Sequence, residues 1–475
     1  MIPLPLARIA ELTSGALAGM ADPRAVVRGP VVIDSRQVEP GSLFAAFPGA
    51  RVDGHDYAAQ AVRSGAVAVL ASRPVEAPAV IVPDVAAALA ALATAVAGSL
   101  PEATVIGVTG SAGKTSTKDL LARLMGRIGP TIAPVNSFNN EIGHPLTVLK
   151  ADHETRYMVL ELSAREAGHI GYLARIAPPA IGVVLNVGTA HLGVFGGKEA
   201  IAKAKGELIE ALPATGCAIL NADDPLVREM AARTDARVTL FGRSPDAAIR
   251  AEEIVLDERG RASFLLRAPS GAAHVKLRLY GEHAVDNALA AAAAGYELGL
   301  PVATIAEELS EAEPRSRWRM EVTERPDGVT VINDAYNANP DSMRAAFKSL
   351  GVLGSGRRRF AVIAALRELG EDSAALNEEL GRLAGSAGLA GLVVAGPDAG
   401  PVLQGAFEAA APGSGAGAPP GAADRQDTRI VHVADAEAAA AELAGWLAPG
   451  DVLLVKGPRA MGLERTAELV LGGAR

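Results

Sequence analysis

A glycine-rich segment carries the residue types that bind phosphate. Residues 107–117 read GVTGSAGKTST and join a β-like run, ATVIGVTG, to a helical run, KTSTKDLLARLM. Backbone N–H groups at such a turn, together with the positive end of the helix, face an anion. We expect Lys114 to reach the outer phosphates of a nucleotide and the Thr115 hydroxyl to bind Mg²⁺. A glycine-rich turn that binds nothing is the alternative. The proposed nucleotide contacts are Gly110, Ser111, Ala112, Gly113, Lys114, Thr115 and Ser116.

The segment departs from the usual pattern G-x-x-x-x-G-K-[ST], because Val108 stands where that pattern has its first glycine. The pattern alone therefore indicates only a nucleoside triphosphate user. Other polar residues in the same region must narrow the chemistry.

Further polar residues lie at or beyond the ends of apolar runs. Glu161 closes the run in LELS, and His191 follows another in LNVGTAHLG. Open α/β sheets bind ligands at the carboxyl ends of their strands, so both residues suit a Mg²⁺ site beside the phosphates. A helix cap is an equally good interpretation of His191. Lys203 and Lys205 follow in AKAKGELIE, where exposed helix charges are the alternative.

The elements that position these residues alternate between short β runs and longer alanine-rich helical runs, which predicts βαβ units. We predict an α/β protein of three domains with joints near residues 97–104 and 310–318. Residues 1–98 form a small α/β domain. Residues 99–313 form a central domain with a P-loop-type parallel sheet and helices on both faces. Residues 314–475 form a Rossmann-like α/β domain, in which the low-complexity stretch 410–427 is expected to be a mobile surface loop.

Composition excludes several classes of protein. The chain has 475 residues, 49% hydrophobic, and a formal net charge of -9, which argues against a nucleic-acid binder. The single cysteine, Cys217, is expected to be a buried thiol and fits a reducing cytosol. The start MIPLPLARIAEL does not have the pattern of a signal peptide, and the apolar run 85–100 is shorter than a bilayer span. We predict a cytoplasmic protein that does not insert into membranes.

Seven motifs together resemble the Mur ligases, the ATP-dependent amide-forming enzymes of bacterial cell-wall precursor synthesis. The family uses the loop variant T-G-x-x-G-K-T, which accounts for Val108. The resemblance covers essentially the whole chain, and the seven motifs are TGSAGKT, NSFNNEIGHPLTVL, NVGTAHLGVFGGKEAIAKAKGELI, NADDP, YGEHAVDNALAAAA, NDAYNANPDSM and VLLVKGPRAMGLE.

The resemblance implies a substrate class and a reaction. The motif NANPDSM resembles the corresponding motif of family members that join D-alanyl-D-alanine to UDP-N-acetylmuramoyl-tripeptide. Their relatives that attach the third residue usually have HTPD and DNPR motifs instead. The carboxylate of the tripeptide would attack the γ-phosphate of ATP, and the amine would then attack the acyl phosphate. The alternatives are a ligase with another acceptor, including the folylpolyglutamate type, and a P-loop NTPase switch that hydrolyses ATP without the tripeptide.

The resemblance also implies roles for individual residues. Lys114, His191 and Lys205 would be catalytic, and the metal ligands would be Thr115, Glu161, His191 and Lys205, the last as a carbamate. His283, Asn287, Arg319 and Asp334 would bind the nucleotide, with the last two brought by a third domain that closes on the central one. The substrate contacts would be Ser35, Arg36, Asn139, Asn140, Asn337 and Asn339. NDAYNANP is also typical of a turn, and both roles are compatible.

The chain departs from the family pattern at three places. Ser163 stands where a glycine is expected after the metal-side glutamate, AALRELG replaces the usual GxMxELG, and Asn377 stands where histidine is common. The first departure leaves Glu161 in place, whereas the others put the role of that third-domain loop in doubt. We expect the protein to be a monomer.

Overall fold

The computed structural model describes residues 1–49, 52–188, 192–411 and 428–472. The amino-terminal part contains a small five-stranded sheet in the order β2-β7-β6-β5-β4, in which only β2 is antiparallel, and a two-stranded pair of β1 and β3. Its strands are β1 Leu4–Pro5, β2 Ala16–Ala18, β3 Val26–Val27, β4 Val31–Val32, β5 Leu43–Ala45, β6 Ala68–Ala71 and β7 Ala79–Ile81, and its helices are α1 Leu6–Leu12, α2 Ala58–Arg63 and α3 Val85–Gly98.

The central part is a nine-stranded sheet in the order β16-β15-β14-β13-β12-β11-β8-β10-β9. The strands are β8 Thr104–Thr109, β9 Thr131–Ile132, β10 Tyr157–Glu161, β11 Ile181–Val184, β12 Cys217–Asn221, β13 Arg237–Gly242, β14 Ile249–Leu256, β15 Arg261–Ala268 and β16 Gly271–Tyr280. The helices are α4 Lys114–Gly126, α5 Gly143–Val148, α6 His169–Ile176, α7 Leu192–Phe195, α8 Lys198–Glu210, α9 Pro225–Arg228, α10 His283–Glu297 and α11 Val302–Ser310.

Seven strands of this central sheet are parallel, as predicted, but β15 and β16 extend it as antiparallel strands. This extension was not predicted from the sequence. A usable signal was the apolar residue at every second position of β15, Ala262, Phe264, Leu266 and Ala268, and these residues form the buried face of the strand. Hydrophobic cores lie on both faces of the sheet, so helices cover both.

The carboxyl-terminal part is a six-stranded sheet in the order β17-β18-β22-β19-β20-β21, in which only β17 is antiparallel. The strands are β17 Glu321–Glu324, β18 Thr330–Asn333, β19 Arg359–Ala364, β20 Gly391–Ala395, β21 Arg429–Val433 and β22 Val452–Lys456. The helices are α12 Pro340–Leu353, α13 Ser373–Gly385, α14 Gly400–Ala410, α15 Ala436–Ala444 and α16 Glu464–Gly472. The predicted three-part α/β architecture is therefore confirmed.

Three further expectations from the sequence concern Cys217, the low-complexity stretch and membrane insertion. Cys217 lies on β12 and is buried, as expected. The low-complexity stretch 410–427 lies almost entirely outside the described residues. None of the helices in the described ranges is both long and apolar enough to cross a membrane.

Candidate active site

The glycine-rich loop lies at a switch point of the central sheet. It follows β8, whose two neighbours are the later strands β10 and β11, and open α/β sheets bind ligands at such points. Gly113 has a φ of 83°, and a Cβ at this position would overlap the side-chain oxygen of Asn287. Glycine is therefore required by both the backbone and the space available.

Asn186, which follows β11, fixes the loop from the side. Its Oδ1 accepts a hydrogen bond from the Ala112 N–H at 2.9 Å, and its Nδ2 donates to the Ala112 carbonyl at 3.2 Å. The Ser111 N–H donates to the backbone carbonyl of Asn186 at 3.1 Å. The loop is thus held in shape by protein groups before any ligand binds.

Oxygen atoms converge beside the loop on Glu161, the last residue of β10, which is 1% exposed. The Thr115 hydroxyl donates to Glu161 Oε2 at 3.0 Å, and the Ser137 hydroxyl donates to Oε1 at 2.9 Å. The Asn139 amide also donates to Oε1, at 2.7 Å. Carboxylate and hydroxyl oxygens are the ligands that Mg²⁺ prefers, so the oxygens of Glu161, Thr115 and Ser137 fit the predicted ion.

The described residues contain no group of three or more His, Cys, Asp or Glu side chains that could hold a metal. An ion bound at Glu161 would therefore take further ligands from phosphate oxygens and water, as is usual for Mg²⁺ in nucleotide sites. His191, the other predicted metal ligand, lies outside the described residues.

Lys114 lies near this oxygen cluster, and Lys205 lies near Lys114. Lys114 begins α4, and its Nζ donates to the Gly110 carbonyl at 2.7 Å. Burial lowers the pKa of Lys114, the Glu161 carboxylate opposes that change, and the Arg319 guanidinium adds to it. Burial, and then the charge of Lys114, lower the pKa of Lys205 well below its usual value. Lys205 on α8 is buried, whereas its neighbour Lys203 is exposed.

The third domain brings Arg319 to the loop. Its Nη2 lies 3.3 Å from the Thr115 hydroxyl, and its guanidinium carbon lies 4.1 Å from the centre of the Tyr336 ring. The residues on both sides of Arg319 have left-handed backbones, with φ values of 60° at Trp318 and 49° at Met320. Each costs about 1–2 kcal/mol for a residue other than glycine, so surrounding contacts must hold this backbone.

Asp334 supplies one such contact, because its Oδ1 accepts a hydrogen bond from the Met320 N–H at 3.0 Å. Its other oxygen is 2.6 Å from the Nζ of Lys456, a buried lysine that ends β22 and also donates to the Asn337 carbonyl. Burial lowers the pKa of Lys456, and the Asp334 carboxylate raises it. Asp334 and Lys456 are therefore a buried ion pair directly behind Arg319.

His283 and Asn287 lie on the first turns of α10, between the loop and the third domain. The Thr117 hydroxyl donates to Asn287 Oδ1 at 3.3 Å. Burial lowers the pKa of His283, which the nearby carboxylates of Asp334 and Asp286 raise. Asn287 and Arg319 therefore contact the helix that follows the loop, whereas Asp334 lies behind Arg319 and His283 lies near Asp334.

The asparagines predicted to bind substrate also shape the backbone. Asn339 caps α12 by accepting a hydrogen bond from the Ser342 N–H at 2.8 Å, and its amide lies 3.5 Å from the Ser111 carbonyl. Asn140 accepts from the Gly143 N–H at 2.8 Å, and Asn337 accepts from the N–H of the next residue. Asn139 differs, because its amide reaches Glu161.

Ser35 and Arg36 lie apart from this cluster, in a short 3-10 helix after β4 of the small sheet. The Arg36 side chain is exposed and pairs with Asp34 at 2.7 Å. Ser72 follows β6 in the same sheet, and its N–H donates to Nε2 of the buried His55 at 3.0 Å; Nδ1 of that histidine is 2.6 Å from Asp53. Asp53 and His55 are thus tied to the carboxyl end of the small sheet.

Sequence reasoning missed Ser137, Asn186 and Lys456 as site residues, although all three lie in the quoted motifs. Lys456 had a usable signal, since a lysine that ends the apolar strand VLLVK is unusual in a buried sheet. Asn377, a departure from the family pattern, is buried and holds the backbone of Leu366 through hydrogen bonds of 2.7 and 3.1 Å. It therefore has a structural role in that loop.

Comparison with family models gives three matches along the chain. Residues 30–112 match the Mur ligase family catalytic domain, residues 108–295 match the Mur ligase middle domain, and residues 318–459 match the Mur ligase glutamate ligase domain.

Curated relatives and solved structures agree with these matches. The UDP-N-acetylmuramoyl-tripeptide–D-alanyl-D-alanine ligase of Mycobacterium tuberculosis strain H37Rv is 48% identical and covers 99% of this chain and 98% of its own. The enzyme of the same name from Escherichia coli K12 is 36% identical, and the match covers 82% of this chain and 85% of that enzyme. A crystal structure of MurF from Acinetobacter baumannii superposes with a TM-score of 0.83 at 30% identity, over 99% of both chains.

The MurF ligase of Thermotoga maritima, solved in complex with ADP, gives a TM-score of 0.76 at 29% identity, over 94% of this chain and 98% of its own. The fold, the loop geometry and these matches together show that the chain belongs to the Mur ligase family.

Proposed function

We propose that the protein is an ATP-dependent ligase that joins D-alanyl-D-alanine to UDP-N-acetylmuramoyl-tripeptide. Because the reaction consumes ATP, we propose that it takes place in the cytoplasm. The observation that carries the proposal is the meeting of two domains at Thr115, whose hydroxyl contacts Glu161 of the central sheet and Arg319 of the third domain. The printed names of the relatives at 48% and 36% identity supply the substrates.

In the first step, a carboxylate oxygen of the tripeptide attacks the γ-phosphorus of ATP, and the bond between that phosphorus and ADP breaks. Two anions must approach each other, so cations are needed at the point of transfer. Lys114 and Arg319 supply them from opposite domains. Asn186 fixes the shape of the loop, and N–H groups at the start of α4 hold the phosphates in line for attack.

In the second step, the amine nitrogen of D-alanyl-D-alanine attacks the carbonyl carbon of the acyl phosphate. A tetrahedral intermediate forms, phosphate leaves with cleavage of the carbon–oxygen bond, and the nitrogen loses a proton. The same cations stabilise the negative charge that develops on oxygen. Closure of the third domain over the loop excludes water, which would otherwise hydrolyse the acyl phosphate.

We further propose that Thr115 and Glu161 hold Mg²⁺, with His191 at a second ion. A bound Mg²⁺ would neutralise charge on the phosphate oxygens. Lys205 suits carbamate formation, because its lowered pKa favours the neutral amine that reacts with CO₂. Asn139 and the small-sheet residues Ser35 and Arg36 would contact the nucleotide sugar.

Phosphate release tests the function. The protein is supplied with ATP, Mg²⁺, the tripeptide in its lysine or diaminopimelate form, and D-alanyl-D-alanine, and each component is then omitted in turn. We expect release only when both the tripeptide and the dipeptide are present. Release that ignores both substrates would identify an NTPase, and release that needs another amine would identify a different amide ligase.

A further inference from the structure

The segment that connects α11 to β17, residues 311–320, carries Arg319 and is tied to the phosphate-loop helix α4 by a side-chain hydrogen bond. The Ser316 hydroxyl donates to Asp119 Oδ2 at 2.6 Å, and Ser316 is 9% exposed. Hydrogen bonds between a hydroxyl and a carboxylate are short and strong. The connecting segment is therefore held to α4 three residues before Arg319.

Asp119 is itself fixed. Its other carboxylate oxygen pairs with Lys118, whose buried ammonium also donates to the Pro134 carbonyl at 2.9 Å. Asp119 lies five residues after Lys114 on the same helix, which is about 7.5 Å along the axis. One rigid helix thus carries the phosphate-binding lysine at its start and the anchor for the connecting segment in its second turn.

Apolar contact between this segment and the core that includes Leu120 of α4 is made by Ala312, near the start of the segment. A pocket open to solvent also lies between α4 and the connecting segment, lined by residues that include Leu120, Arg123 and Leu279. Asp119 and Ser316 both line this pocket. Polar contacts also cross from α4 to the connecting segment: Arg123 pairs with Glu311 at 2.9 Å, at the start of the segment, and Asp119 accepts from Ser316, nearer to Arg319.

The backbone contacts downstream of Ser316 lie within the third domain, whereas the Arg319 side chain reaches α4 at Thr115. The Trp318 N–H donates to the Glu321 carboxylate at 3.1 Å, and the Met320 N–H donates to Asp334 at 3.0 Å. Both acceptors belong to the third domain. They can hold the left-handed backbone around Arg319, but they cannot set its distance from Thr115 in the central domain.

We propose that Asp119 is a positioning residue, which acts through Ser316 to place the Arg319 guanidinium beside Thr115 and the outer phosphates. This inference rests on the proposed ATP-dependent function. Asp119 is not in contact with the loop hydroxyls or with Glu161 through any described hydrogen bond, so its effect on the reaction is indirect.

The test compares Ser316→Ala, which removes the hydroxyl, with the wild-type enzyme in the phosphate-release assay. We expect kcat to fall about tenfold, as for loss of a hydrogen bond to a charged group, with little change in KM for either peptide substrate. Ser316→Thr keeps a hydroxyl and should recover most of the rate. Ser310→Ala is the matched control, because that hydroxyl lies at the end of α11 and bonds to the Ala306 carbonyl and the Lys276 N–H instead.

A second comparison separates positioning from a general effect on folding. In an Arg319→Lys background, Ser316→Ala should reduce kcat less than twofold, because the group that it positions is already altered. If the double variant loses kcat by the product of the two separate losses, the inference is overturned. It is also overturned if the Ser316→Ala enzyme is as active as the Ser310→Ala enzyme.

Binding measurements decide the inference even if the chain does not ligate. Ser316→Ala should weaken binding of a non-hydrolysable ATP analogue several-fold and leave AMP binding unchanged, because Arg319 lies at the outer phosphates. Equal effects on both nucleotides, or none, would contradict positioning through Arg319. A wild-type protein that binds the analogue without ligating would instead count against the proposed function alone.

Discussion

The central domain and the third domain both bring cations to Thr115, but they hold them by different means. Lys114 lies at the start of a regular helix, and the Asn186 side chain holds the backbone of the loop before it at Ala112. Arg319 stands between two residues with left-handed backbones, and carboxylates of its own domain accept their N–H groups. The central half is built from main-chain geometry, whereas the third-domain half depends on side-chain charges.

The two halves of the site should therefore tolerate different substitutions. Substitutions in the central half should affect chemistry more than stability, because parallel strands and helices hold the backbone without those side chains. Substitutions behind Arg319 should affect stability as well, because they leave buried charges without partners. The following predictions test that division.

Lys114→Ala should have the largest effect. Loss of a cation at the transferred phosphate should reduce the rate of phosphate release roughly 10³-fold, with little change in unfolding free energy. Lys203→Ala, which removes an exposed lysine on α8, is the control. Turnover that survives Lys114→Ala would remove the glycine-rich loop from the mechanism.

Lys456→Met should instead destabilise the third domain. It leaves the Asp334 carboxylate buried without its cation, at a cost of about 3 kcal/mol in unfolding free energy. The two tryptophans, Trp318 and Trp446, both lie in the third domain, so urea unfolding followed by tryptophan fluorescence reports on that domain. If Lys456→Met unfolds at the same urea concentration as Lys203→Met, the stability of the third domain does not depend on the ion pair between Asp334 and Lys456.

Glu161→Gln should reduce kcat roughly 100-fold, because a carboxylate that supports the metal becomes a neutral amide. The Mg²⁺ concentration for half-maximal rate should rise, while the urea midpoint stays near that of the wild type. Glu166→Gln, an exposed glutamate shortly after β10, is the control. An unchanged Mg²⁺ requirement would argue against Glu161 as a metal ligand.

Glu282→Gln should have the smallest effect. Glu282 pairs with Arg243 of the central domain and Lys348 of α12, and these partners lower the pKa of its carboxyl from 4.5 to about 2. A lowered pKa gives stability that is present above pH 4.5 and is lost as the pH falls toward 2. Because the pair is partly exposed, we expect less than about 1 kcal/mol.

Thermal unfolding at pH 6 and pH 3.5 measures this contribution. The difference in Tm between the wild type and Glu282→Gln should shrink at the lower pH, whereas Glu307→Gln, an exposed control on α11, should show no such change. If the difference in Tm is the same at pH 6 and pH 3.5, the ionised Glu282 carboxylate is not the source of the extra stability.

The sequence supported the fold class and much of the central half of the site. Contiguous motifs place Lys114 and Thr115 just after the loop that follows β8 and Glu161 at the end of β10, and the carboxyl ends of parallel strands meet at one edge of the sheet by geometry alone. Arg319 and Asp334 came from family resemblance, since 204 residues separate Arg319 from Thr115 and no periodicity links them. The left-handed backbone at Trp318 and Met320 had no signal, because neither residue type favours it.

The antiparallel strands β15 and β16 were missed for a related reason. A parallel sheet was inferred from alternating strands and helices, and an edge hairpin interrupts that alternation without changing the fold class. Ser137 and Asn186 were also missed, because single polar residues in loops have no pattern of their own until tertiary structure shows what they contact.

The burial of Cys217 has a practical consequence. It is the only cysteine in the chain, and burial in β12 raises the pKa of its thiol, so it should react slowly with thiol reagents. Cysteines introduced at exposed positions of the central and third domains could therefore be labelled selectively in an otherwise wild-type background. A pair of fluorophores placed in this way would measure the distance between the two halves of the site during a single catalytic cycle.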